Sequence, residues 1–347
     1  MEPAKIEAIV PTRPDWLRLR AEEPLRPELA VVDPHHHLWD RGGAPYHLAE
    51  FGEDIAGETG GHRLLATVFM ECDTHYLPDG PEHLRPVGEV SFAAELGEAN
   101  DREGGPRICA GIVGHADLRL GEGLQDVIDT MREAGRGRFR GFRQIAAWHP
   151  DPRVKGTVAN PPPHLLMDEA FRRGLKRLGA GGLTFDTWAL HTQLGELHDA
   201  ARTAPDVTIV MDHAGGAIGM GPFADRRDAA FSEWRTAVRY LANAPNVHAK
   251  IGGFGMRLWN FAFHDRPLPP SSDDLAAAIR PYVETLIEAF GPRRCMFESN
   301  FPVDKGSFAY VVLWNAFKRL VEGYSAEEQS ALLRGTAEAV YSLDVRA

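Results

Sequence analysis

Eight short apolar runs, separated by segments with helical periodicity, constrain the fold of this chain more than any other feature. The runs are rich in Val, Ile and Phe and cover residues 30–34, 64–72, 107–114, 139–145, 182–187, 207–212, 247–251 and 294–299. Alternating strands and helices predict a parallel sheet, and eight such units predict an α/β fold closed into a (β/α)8 TIM barrel. An open doubly wound sheet is the alternative, but no G-x-G-x-x-G follows the first run.

Two helical stripes between these runs are clear in the sequence. One is formed by Phe231, Trp234, Val238 and Leu241, and the other by Leu275, Ile279, Val283, Leu286 and Phe290. Pro281 lies inside the second stripe and is expected to kink or restart that helix, because proline lacks the backbone N–H. Ser325 and Glu328 form a predicted capping box for a later helix.

The length of the chain fits one barrel with an additional segment. Such a barrel takes about 250 residues plus insertions, and this chain has 347. Residues 1–29 are proline-rich and charged, and they predict an N-terminal arm beside a single barrel domain of residues 30–347. Long loops are predicted on the C-terminal face of the barrel, where active sites of this fold are built. Long loops also form oligomer contacts, so a homo-oligomer stays open.

Composition and charge exclude several classes of function. A net charge of −11 argues against a nucleic-acid surface, which needs a basic stripe. No run of about eighteen apolar residues and no apolar leader-like segment occurs, so we expect no membrane partner and a cytoplasmic location. The cysteines Cys72, Cys109 and Cys295 lie in apolar segments without CxxC spacing, which is typical of reduced core residues.

The first strand carries the strongest chemical signal. It runs into three consecutive histidines, of which His35 and His37 share a face because strand side chains alternate. Two imidazoles on one face can converge on a divalent ion, and imidazole is a common zinc ligand. A polar turn that is rich in histidine by chance is the alternative.

Further polar residues follow other apolar strands. His213 ends the sixth strand, Glu298 and Asn300 end the eighth, and Glu71 ends the second. A single histidine after a strand is more often structural than a ligand. Because the C-terminal ends of all barrel strands meet at one mouth, several such residues together predict a site there.

These motifs together resemble the amidohydrolase superfamily, in its amidohydrolase 2 branch of TIM-barrel hydrolases, lactonases and decarboxylases. The resemblance extends from about Asp33 to Leu343 and is closest to the lactonase-like group. It rests on Asp-Pro-His-His-His-Leu-Trp at 33–39, Leu-Thr-Phe-Asp-Thr-Trp at 183–188, Val-Met-Asp-His-Ala-Gly at 210–215 and Cys-Met-Phe-Glu-Ser-Asn-Phe-Pro at 295–302.

The resemblance implies metal ligands and also shows two departures from the family pattern. His35, His37 and His213 match its metal-binding histidines. Asn300 replaces the usual aspartate, and an amide cannot ionise to act as a base. Glu298 replaces a glycine two positions earlier on the same face of the strand. Glu298 is therefore the predicted base, with Glu71 as a further candidate for the base or a metal ligand. Both acids are alternatively buried partners of Arg143 or Lys250.

Predicted substrate contacts come from the strand ends and the long loops. Arg143 ends the fourth strand and Lys250 lies in the seventh, and either cation suits an anionic substrate. Tyr76, Trp148 and Arg257 lie in loops on the predicted active-site face. A structural ion pair between Arg143 or Lys250 and Glu71 or Glu298 is the alternative reading of the two cations.

The predicted function is hydrolysis of a small cyclic ester, a lactone, or of a cyclic amide. One divalent ion, predicted to be zinc, would activate the water, with Glu298, His213 and Asn300 in the catalytic group. A metal-free variant stays open, since some lactonase relatives work without one. Decarboxylation of an aromatic or enol acid is the rival activity, and a non-catalytic barrel that binds a small molecule is the third hypothesis.

Overall fold

A computed structural model of the protein describes residues 9–41, 44–56, 61–154 and 159–345. Ten strands lie within these residues: β1 (Val31–His36), β2 (Trp39–Arg41), β3 (Ala44–Tyr46), β4 (Leu64–Met70), β5 (Arg107–His115), β6 (Phe139–Arg143), β7 (Thr184–Thr187), β8 (Ile209–Met211), β9 (Val247–Ile251) and β10 (Cys295–Phe297). Strands β2 and β3 form an antiparallel hairpin. The other eight form one parallel sheet in the order β1-β4-β5-β6-β7-β8-β9-β10.

The first and last strands of this sheet meet at one end. A bridge joins His36 to Phe301, and the backbone N–H of Asn300 donates to the carbonyl of His35 at 2.9 Å. The predicted TIM barrel is therefore confirmed, as a nearly closed ring of eight parallel strands. All eight predicted runs are strands, although their ends differ: β1 extends to His36, and β10 ends at Phe297, before Glu298. The ends of these two strands depend on the contacts between them at the barrel mouth, which local strand propensity does not include.

Helices surround the sheet and follow the strands in sequence. They are α1 (Pro14–Leu17), α2 (Leu48–Ala56), α3 (Val87–Glu103), α4 (Leu124–Ala134), α5 (Glu169–Ala180), α6 (Leu194–Thr203), α7 (Arg227–Leu241), α8 (Ser272–Phe290), α9 (Tyr310–Leu320), α10 (Ala326–Ser330) and α11 (Thr336–Val340), with a π-helical turn at Ala331–Gly335. In α7 the predicted stripe buries Trp234, Val238 and Leu241. The capping box of Ser325 and Glu328 is confirmed at the start of α10.

The expectation that Pro281 restarts a helix is wrong. Helix α8 runs as a single helix from Ser272 to Phe290 with Pro281 inside it. It begins at a capping box formed by Ser271 and Asp274. Its apolar stripe is buried on both sides of the proline, from Leu275 to Phe290, so packing against the barrel keeps one helix despite the missing hydrogen bond.

The described part of the predicted N-terminal arm contacts the segment before α8 and the helices α8 and α9, and residues 1–8 fall outside the described residues. Trp16 is buried and its indole N–H donates to the carbonyl of Arg266 at 3.1 Å. Glu22 accepts from the backbone of Ser272 at 2.7 Å and from the amide of Asn315 at 2.9 Å. None of the described helices is long and apolar enough to cross a membrane.

The barrel interior has an apolar layer and a polar layer. Val32, Val68, Val113, Val210 and Met296 pack together with Tyr341 in the apolar layer. The hydroxyl of Tyr341 donates to Asp186 at 2.5 Å, and Asp186 belongs to the polar layer. The predicted long loop 38–63 contains the β2–β3 hairpin and α2. The hairpin contributes Trp39 and Arg41 to the wall above the polar layer.

Candidate active site

Three buried side chains from three strand ends meet at the mouth of the barrel. His35 lies in β1, His213 follows β8, and Glu298 directly follows β10. Glu298 Oε1 lies 2.7 Å from His213 Nδ1, and Oε2 lies 2.8 Å from His35 Nδ1. Glu298 also accepts from the backbone N–H of His213 at 3.0 Å. We call these three residues the floor cluster; each offers a donor atom within 4.8 Å of the others.

The backbone around the floor cluster is adapted to this close packing. A Cβ on Gly252 would lie 2.3 Å from Cγ of Glu298, and a Cβ on Gly253 would lie 2.7 Å from Cβ of His213. Side chains at these two positions after β9 would therefore displace the cluster. His213 and Asn300 have φ values of 51° and 54°, in the left-handed region that non-glycine residues rarely adopt. Such conformations concentrate at functional sites.

Charged residues surround the floor cluster inside the barrel. Lys250 Nζ lies 2.8 Å from Asp186 Oδ2 and 3.1 Å from Asp212 Oδ1, and all three side chains are fully buried. Burial by itself would lower the pKa of Lys250, but the two carboxylates outweigh it and raise that pKa. Burial would likewise raise the pKa of Glu298, but His213 and His35 hold it well below its usual value. Lys250 is therefore an ammonium and Glu298 a carboxylate.

The proton positions on His35 follow from its partners. Nη1 of Arg143 lies 3.3 Å from Nε2 of His35, and a guanidinium can only donate. Burial, with Lys250 and His213 nearby, lowers the pKa of His35 well below its usual value, so the ring is neutral. Lys250 Nζ lies 3.3 Å from Nδ1, but Oε2 of Glu298 is nearer, at 2.8 Å, and can only accept, so we place the hydrogen on Nδ1, facing Glu298. His35 links Arg143 to Glu298.

His213 differs from His35 because its ring lines the cavity above the cluster. Its Nδ1 faces the Glu298 carboxylate, which only accepts, so Nδ1 carries the hydrogen. The other nitrogen, Nε2, has no hydrogen-bond partner among the described residues. The Glu298 carboxylate thus orients His213 with a proton acceptor on the cavity side.

His37 and Asn300 form a second polar pair that lines the cavity. Nδ1 of His37 donates to the carbonyl of Met70 at 2.8 Å, and burial lowers its pKa well below the usual value. Nε2 of His37 is therefore an acceptor, and it lies 3.3 Å from Oδ1 of Asn300. The amide of Asn300 donates to Asp304 at 2.9 Å. Both residues line the cavity, so a water or a substrate hydroxyl there can donate a hydrogen bond to either acceptor.

The cavity above these residues has a volume of about 420 Å³. Of the predicted site residues, the ones that line it are His37, Glu71, Tyr76, Arg143, His213 and Asn300. Other lining residues include Trp39, Arg41, Asp73, Asp117, Arg119, Gln144 and Trp188. Aromatic faces, guanidinium groups and carboxylates thus surround a space of small-molecule size.

Several predicted residues lie elsewhere. Lys250 is held below the cavity by Asp186 and Asp212. Trp148 and Arg257 are not among the lining residues; the Trp148 backbone donates to Gln193 at 3.0 Å, and Arg257 contacts His264 at 3.1 Å. Glu71 pairs with Arg143 at 2.8 Å and is outside the floor cluster, as is His37. Glu298 does not line the cavity, because the ring of His213 lies between.

Comparison with known proteins agrees with this architecture. A family model described as amidohydrolase matches residues 32–343. The chain belongs to the amidohydrolase family. A protein of Sinorhizobium fredii named uncharacterized protein y4mH is 34% identical over 332 residues, which cover 90% of this chain and 99% of that protein. An L-fucono-1,5-lactonase of Burkholderia multivorans is 27% identical, over 90% of this chain and 96% of its own.

Solved structures show the same similarity. An amidohydrolase from Burkholderia multivorans with bound Zn superposes with a TM-score of 0.67 and 25% sequence identity, over 90% of this chain and 99% of that one. The family match and these relatives show that this amidohydrolase is an enzyme of the hydrolase type.

The floor cluster of this amidohydrolase is compatible with a divalent metal ion. Two imidazoles and one carboxylate are a known donor set of catalytic zinc. Oε2 of Glu298 is buried, and although Nδ1 of His35 lies 2.8 Å away, the geometry of that contact is not that of a hydrogen bond. Buried carboxylate oxygens without hydrogen bonds favour a nearby cation, so the residues present fit the ion.

The sequence motifs did not identify two polar residues of this amidohydrolase site. Arg41 lines the cavity from the β2–β3 hairpin, where it donates to the carbonyl of Cys72 and lies 4.7 Å from the ring centre of Trp39. Asp212 directly precedes His213 in the sequence, and this position beside a predicted site histidine could have identified it as a site residue. Arg41 carried no periodicity or motif signal, because its place depends on how the hairpin folds over the mouth.

Proposed function

We propose that this amidohydrolase opens a small lactone by adding water to the ring carbonyl. The observation that carries the proposal is the His213–Glu298 pair: a buried carboxylate fixes the imidazole, and the imidazole presents Nε2 to the cavity. The relatives named L-fucono-1,5-lactonase, which are 27% and 29% identical, support a lactone as the substrate.

In this proposal His213 transfers a proton in two steps, first from water and then to the leaving alkoxide. Nε2 of His213 takes a proton from water as the water oxygen bonds to the lactone carbonyl carbon. Glu298 stabilises the imidazolium that forms. The guanidinium of Arg143, which lines the cavity, stabilises the negative charge on the carbonyl oxygen. When the ring C–O bond breaks, His213 returns the proton to the leaving alkoxide, which yields a hydroxy acid.

His35, His213 and Glu298 are the residues that would hold a divalent ion, proposed to be zinc. When bound, such an ion polarises a carbonyl and lowers the pKa of a coordinated water to about 7. In this structure the Nδ1–H groups of His35 and His213 both face Glu298. An ion bound by the same three side chains would have to replace these hydrogens. Removing metal with a chelator distinguishes metal-assisted hydrolysis from hydrolysis by His213 alone. Loss of ring opening after chelation would support the metal, and full activity would support proton transfer by His213 without it.

Arg41 is the proposed contact for an anionic group of the substrate. Three guanidinium groups line the cavity, but Arg119 is paired with Asp117 at 2.7 Å and Arg143 with Glu71 at 2.8 Å. Among the described residues, Arg41 has no carboxylate within ion-pair distance. We therefore propose that Arg41, rather than Arg143, binds a carboxylate of the substrate, because the guanidinium of Arg143 is already engaged by Glu71 and His35. Arg143 keeps the proposed contact with the carbonyl oxygen.

A substrate panel tests the proposal. Neutral sugar lactones, carboxylated lactones and hydroxybenzoates are incubated with the enzyme, and ring opening is followed by acid release, with carbon dioxide measured in parallel. We expect ring opening by the wild type and its loss in His213→Asn. Carbon dioxide from a hydroxybenzoate without any ring opening would replace the hydrolase by the decarboxylase hypothesis. Binding of every compound without turnover would favour the non-catalytic hypothesis.

Substitution of Arg41 tests the anionic contact. Arg41→Met should raise KM about 10-fold for a carboxylated lactone, since a charge-assisted hydrogen bond contributes about 1.5 kcal/mol or more. KM for a neutral lactone should stay the same. Arg119→Met is the matched control, because its guanidinium lines the same cavity but is bound by Asp117. Equal effects of Arg41→Met on both substrates would assign Arg41 to the wall structure alone.

A further inference from the structure

Outside the floor cluster, a second group of histidine and carboxylate donors converges from three separate segments. Asp40 lies in the β2–β3 hairpin, His47 lies between β3 and α2, and His75 lies in the segment after β4. Their donor atoms all lie within 4.8 Å of one another. Nε2 of His47 is 3.2 Å from Asp40 Oδ1, and Nε2 of His75 is 3.0 Å from Asp40 Oδ2. We call these three residues the rim cluster.

One aromatic side chain fixes both imidazoles of the rim cluster. Phe92 of α3 stacks on the His75 ring with centres 3.7 Å apart and planes at 12°. The His47 ring packs against the same Phe92 at 5.3 Å and 62°. The backbone of His75 is held close to α3, where a Cβ on Gly88 would lie 2.3 Å from the His75 carbonyl oxygen. Both Nε2 atoms therefore point at the Asp40 carboxylate with little rotational freedom left in the rings.

Hydrogen bonds within the rim cluster leave one buried nitrogen without a partner. Nε2 of His47 is buried and has no hydrogen-bond partner among the described residues, although Asp40 Oδ1 is only 3.2 Å away. These two atoms are therefore close together without being joined by a hydrogen bond, so the buried nitrogen is left without a partner. No lysine or arginine pairs with Asp40 among the described residues. In the floor cluster, by contrast, Lys250 and Arg143 each lie 3.3 Å from a nitrogen of His35.

We propose that Asp40, His47 and His75 bind a divalent transition-metal ion, with Zn²⁺ preferred. Two imidazole nitrogens and one carboxylate oxygen are ligands that zinc takes readily, and water would complete a four-coordinate site. The side chains of His47 and His75 are each 31% exposed, so water and ions can reach the site. Hard ions such as Mg²⁺ and Ca²⁺ prefer all-oxygen ligands and should bind poorly.

The position of this rim site gives it a role in the shape of the cavity. The hairpin that carries Asp40 also carries Trp39 and Arg41, and the segment that carries His75 also carries Asp73 and Tyr76. All four of these neighbours line the cavity. An ion at the rim cluster would tie two parts of the cavity wall together. By linkage, the bound ion would stabilise the folded protein in proportion to its occupancy.

Metal stoichiometry tests the proposal on the full-length protein. The protein is stripped with a chelator, dialysed and titrated with Zn²⁺, and the bound zinc is counted by elemental analysis and calorimetry. We expect His75→Ala and Asp40→Asn to lose one zinc equivalent that the wild type binds. The loss should exceed the about 10–100-fold weakening typical of outer-sphere changes. His83→Ala, on the same exposed segment but outside the rim cluster, is the control and should keep it.

A second variant separates the two clusters, and spectroscopy covers the case of a poorly folded variant. Glu298→Gln should keep the rim equivalent, so any ion of the floor cluster is counted separately from the rim ion. Co²⁺ added to the stripped wild type should give visible absorption bands of a nitrogen- and oxygen-ligated ion, and Asp40→Asn should abolish them. Equal zinc stoichiometry and equal Co²⁺ spectra in wild type, His47→Gln and Asp40→Asn would overturn the proposal.

Discussion

The floor cluster and the rim cluster are built from the same residue types and differ in what surrounds them. Each consists of two histidines and one acidic residue. The floor cluster is buried, with Lys250, Arg143, Asp212 and Asp186 around it. In the rim cluster the Asp40 side chain is 52% exposed, and an aromatic ring rather than a set of charges holds the histidines.

This difference determines what each cluster can do. Inside the barrel, the low dielectric strengthens charge interactions, so the contacts with Glu298 hold the two imidazole rings in fixed orientations. At the rim, water screens the charges and exchanges freely, so the residues can take up an ion from solution at little cost to the fold. Catalytic orientation and exchangeable binding thus follow from burial rather than from residue type.

The largest expected effect comes from breaking the floor cluster at its carboxylate. Glu298→Gln keeps the volume but removes the charge that holds the proton of His213 on Nδ1. We expect kcat for lactone opening to fall about 10²–10⁴-fold, the usual contribution of a positioned acid–base group. Steady-state kinetics measures the loss, and circular dichroism checks the fold. Combined with His213→Asn, the substitution should add little further loss, because the two residues act as one unit.

Near-wild-type activity of Glu298→Gln would contradict the proposed role of the pair. Glu71 would then be the next acidic candidate, since it lines the cavity with Arg143. Additive losses in the double variant would mean that Glu298 and His213 act independently.

The second prediction concerns the buried charges below the floor. Lys250→Met leaves Asp186 and Asp212 without their ammonium partner, and breaking a buried ion pair on one side typically costs about 3–5 kcal/mol. Chemical denaturation should show a loss of stability of that size. Arg239→Met removes an exposed pair with Glu288 and is the control, with an expected loss of about 0–1 kcal/mol. Equal losses in both variants would contradict the assigned difference in burial.

The sequence predicted the fold well because each strand of a parallel barrel produces a recognisable pattern in a short stretch of sequence. Strands buried on both faces appear as continuous apolar runs, such as the one from Leu64 to Met70. The strand ends were less predictable. β10 ends at Phe297, and the next residue, Glu298, still donates its backbone N–H to the carbonyl of Ile251 in β9 while its side chain contacts His213. This side-chain contact depends on the segment after β8, two strands away, and not on the sequence of β10.

The sequence predicted several residues of the site, but it did not predict how deep in the barrel each side chain lies. Alternation along a strand gives the face of Glu298 or Lys250, not its height in the barrel. The place of Lys250 beneath the cavity depends on Asp186 and Asp212 from neighbouring strands. The rim cluster was not predicted at all, because its donors come from three segments without any motif spacing. The substrate-binding residues and the metal ligands therefore stay predictions that the experiments above decide.

The third prediction concerns Glu89, which anchors the segment that carries His75. Its Oε1 accepts from the backbone N–H groups of Cys72 at 2.8 Å and Thr74 at 3.1 Å. Burial, with nearby Glu71, raises the pKa of Glu89 from 4.5 to about 8. A raised folded-state pKa means that the stabilising contribution is complete below pH 4.5 and is lost as the pH rises toward 8.

Glu89→Gln should remove this loss, since a glutamine carbonyl accepts the same hydrogen bonds without a charge. Between pH 5 and pH 8 the stability of the wild type should therefore fall more than that of the variant, by up to about 4 kcal/mol, because each unit of pKa difference corresponds to about 1.4 kcal/mol. Denaturation at the two pH values measures the difference. Glu95→Gln, at an exposed position of the same helix, should behave as the wild type. A variant that loses as much stability as the wild type over this range would show that Glu89 titrates normally.

The smallest expected effect tests the other side of the comparison. In metal-free protein, Asp40→Asn should change the free energy of unfolding by no more than about 0.5 kcal/mol, because exposed His–Asp contacts contribute little. Adding Zn²⁺ should then stabilise the wild type by RT ln(1 + [Zn²⁺]/Kd), about 2.7 kcal/mol at 100 times Kd, without an equal gain in the variant. A metal-free loss as large as that of Lys250→Met would make the rim cluster structural, like the charges of the floor. A small loss together with a zinc-dependent gap would mean that the two regions differ as their burial requires: buried ion pairs stabilise the barrel interior, and the rim cluster contributes to stability only when an ion is bound.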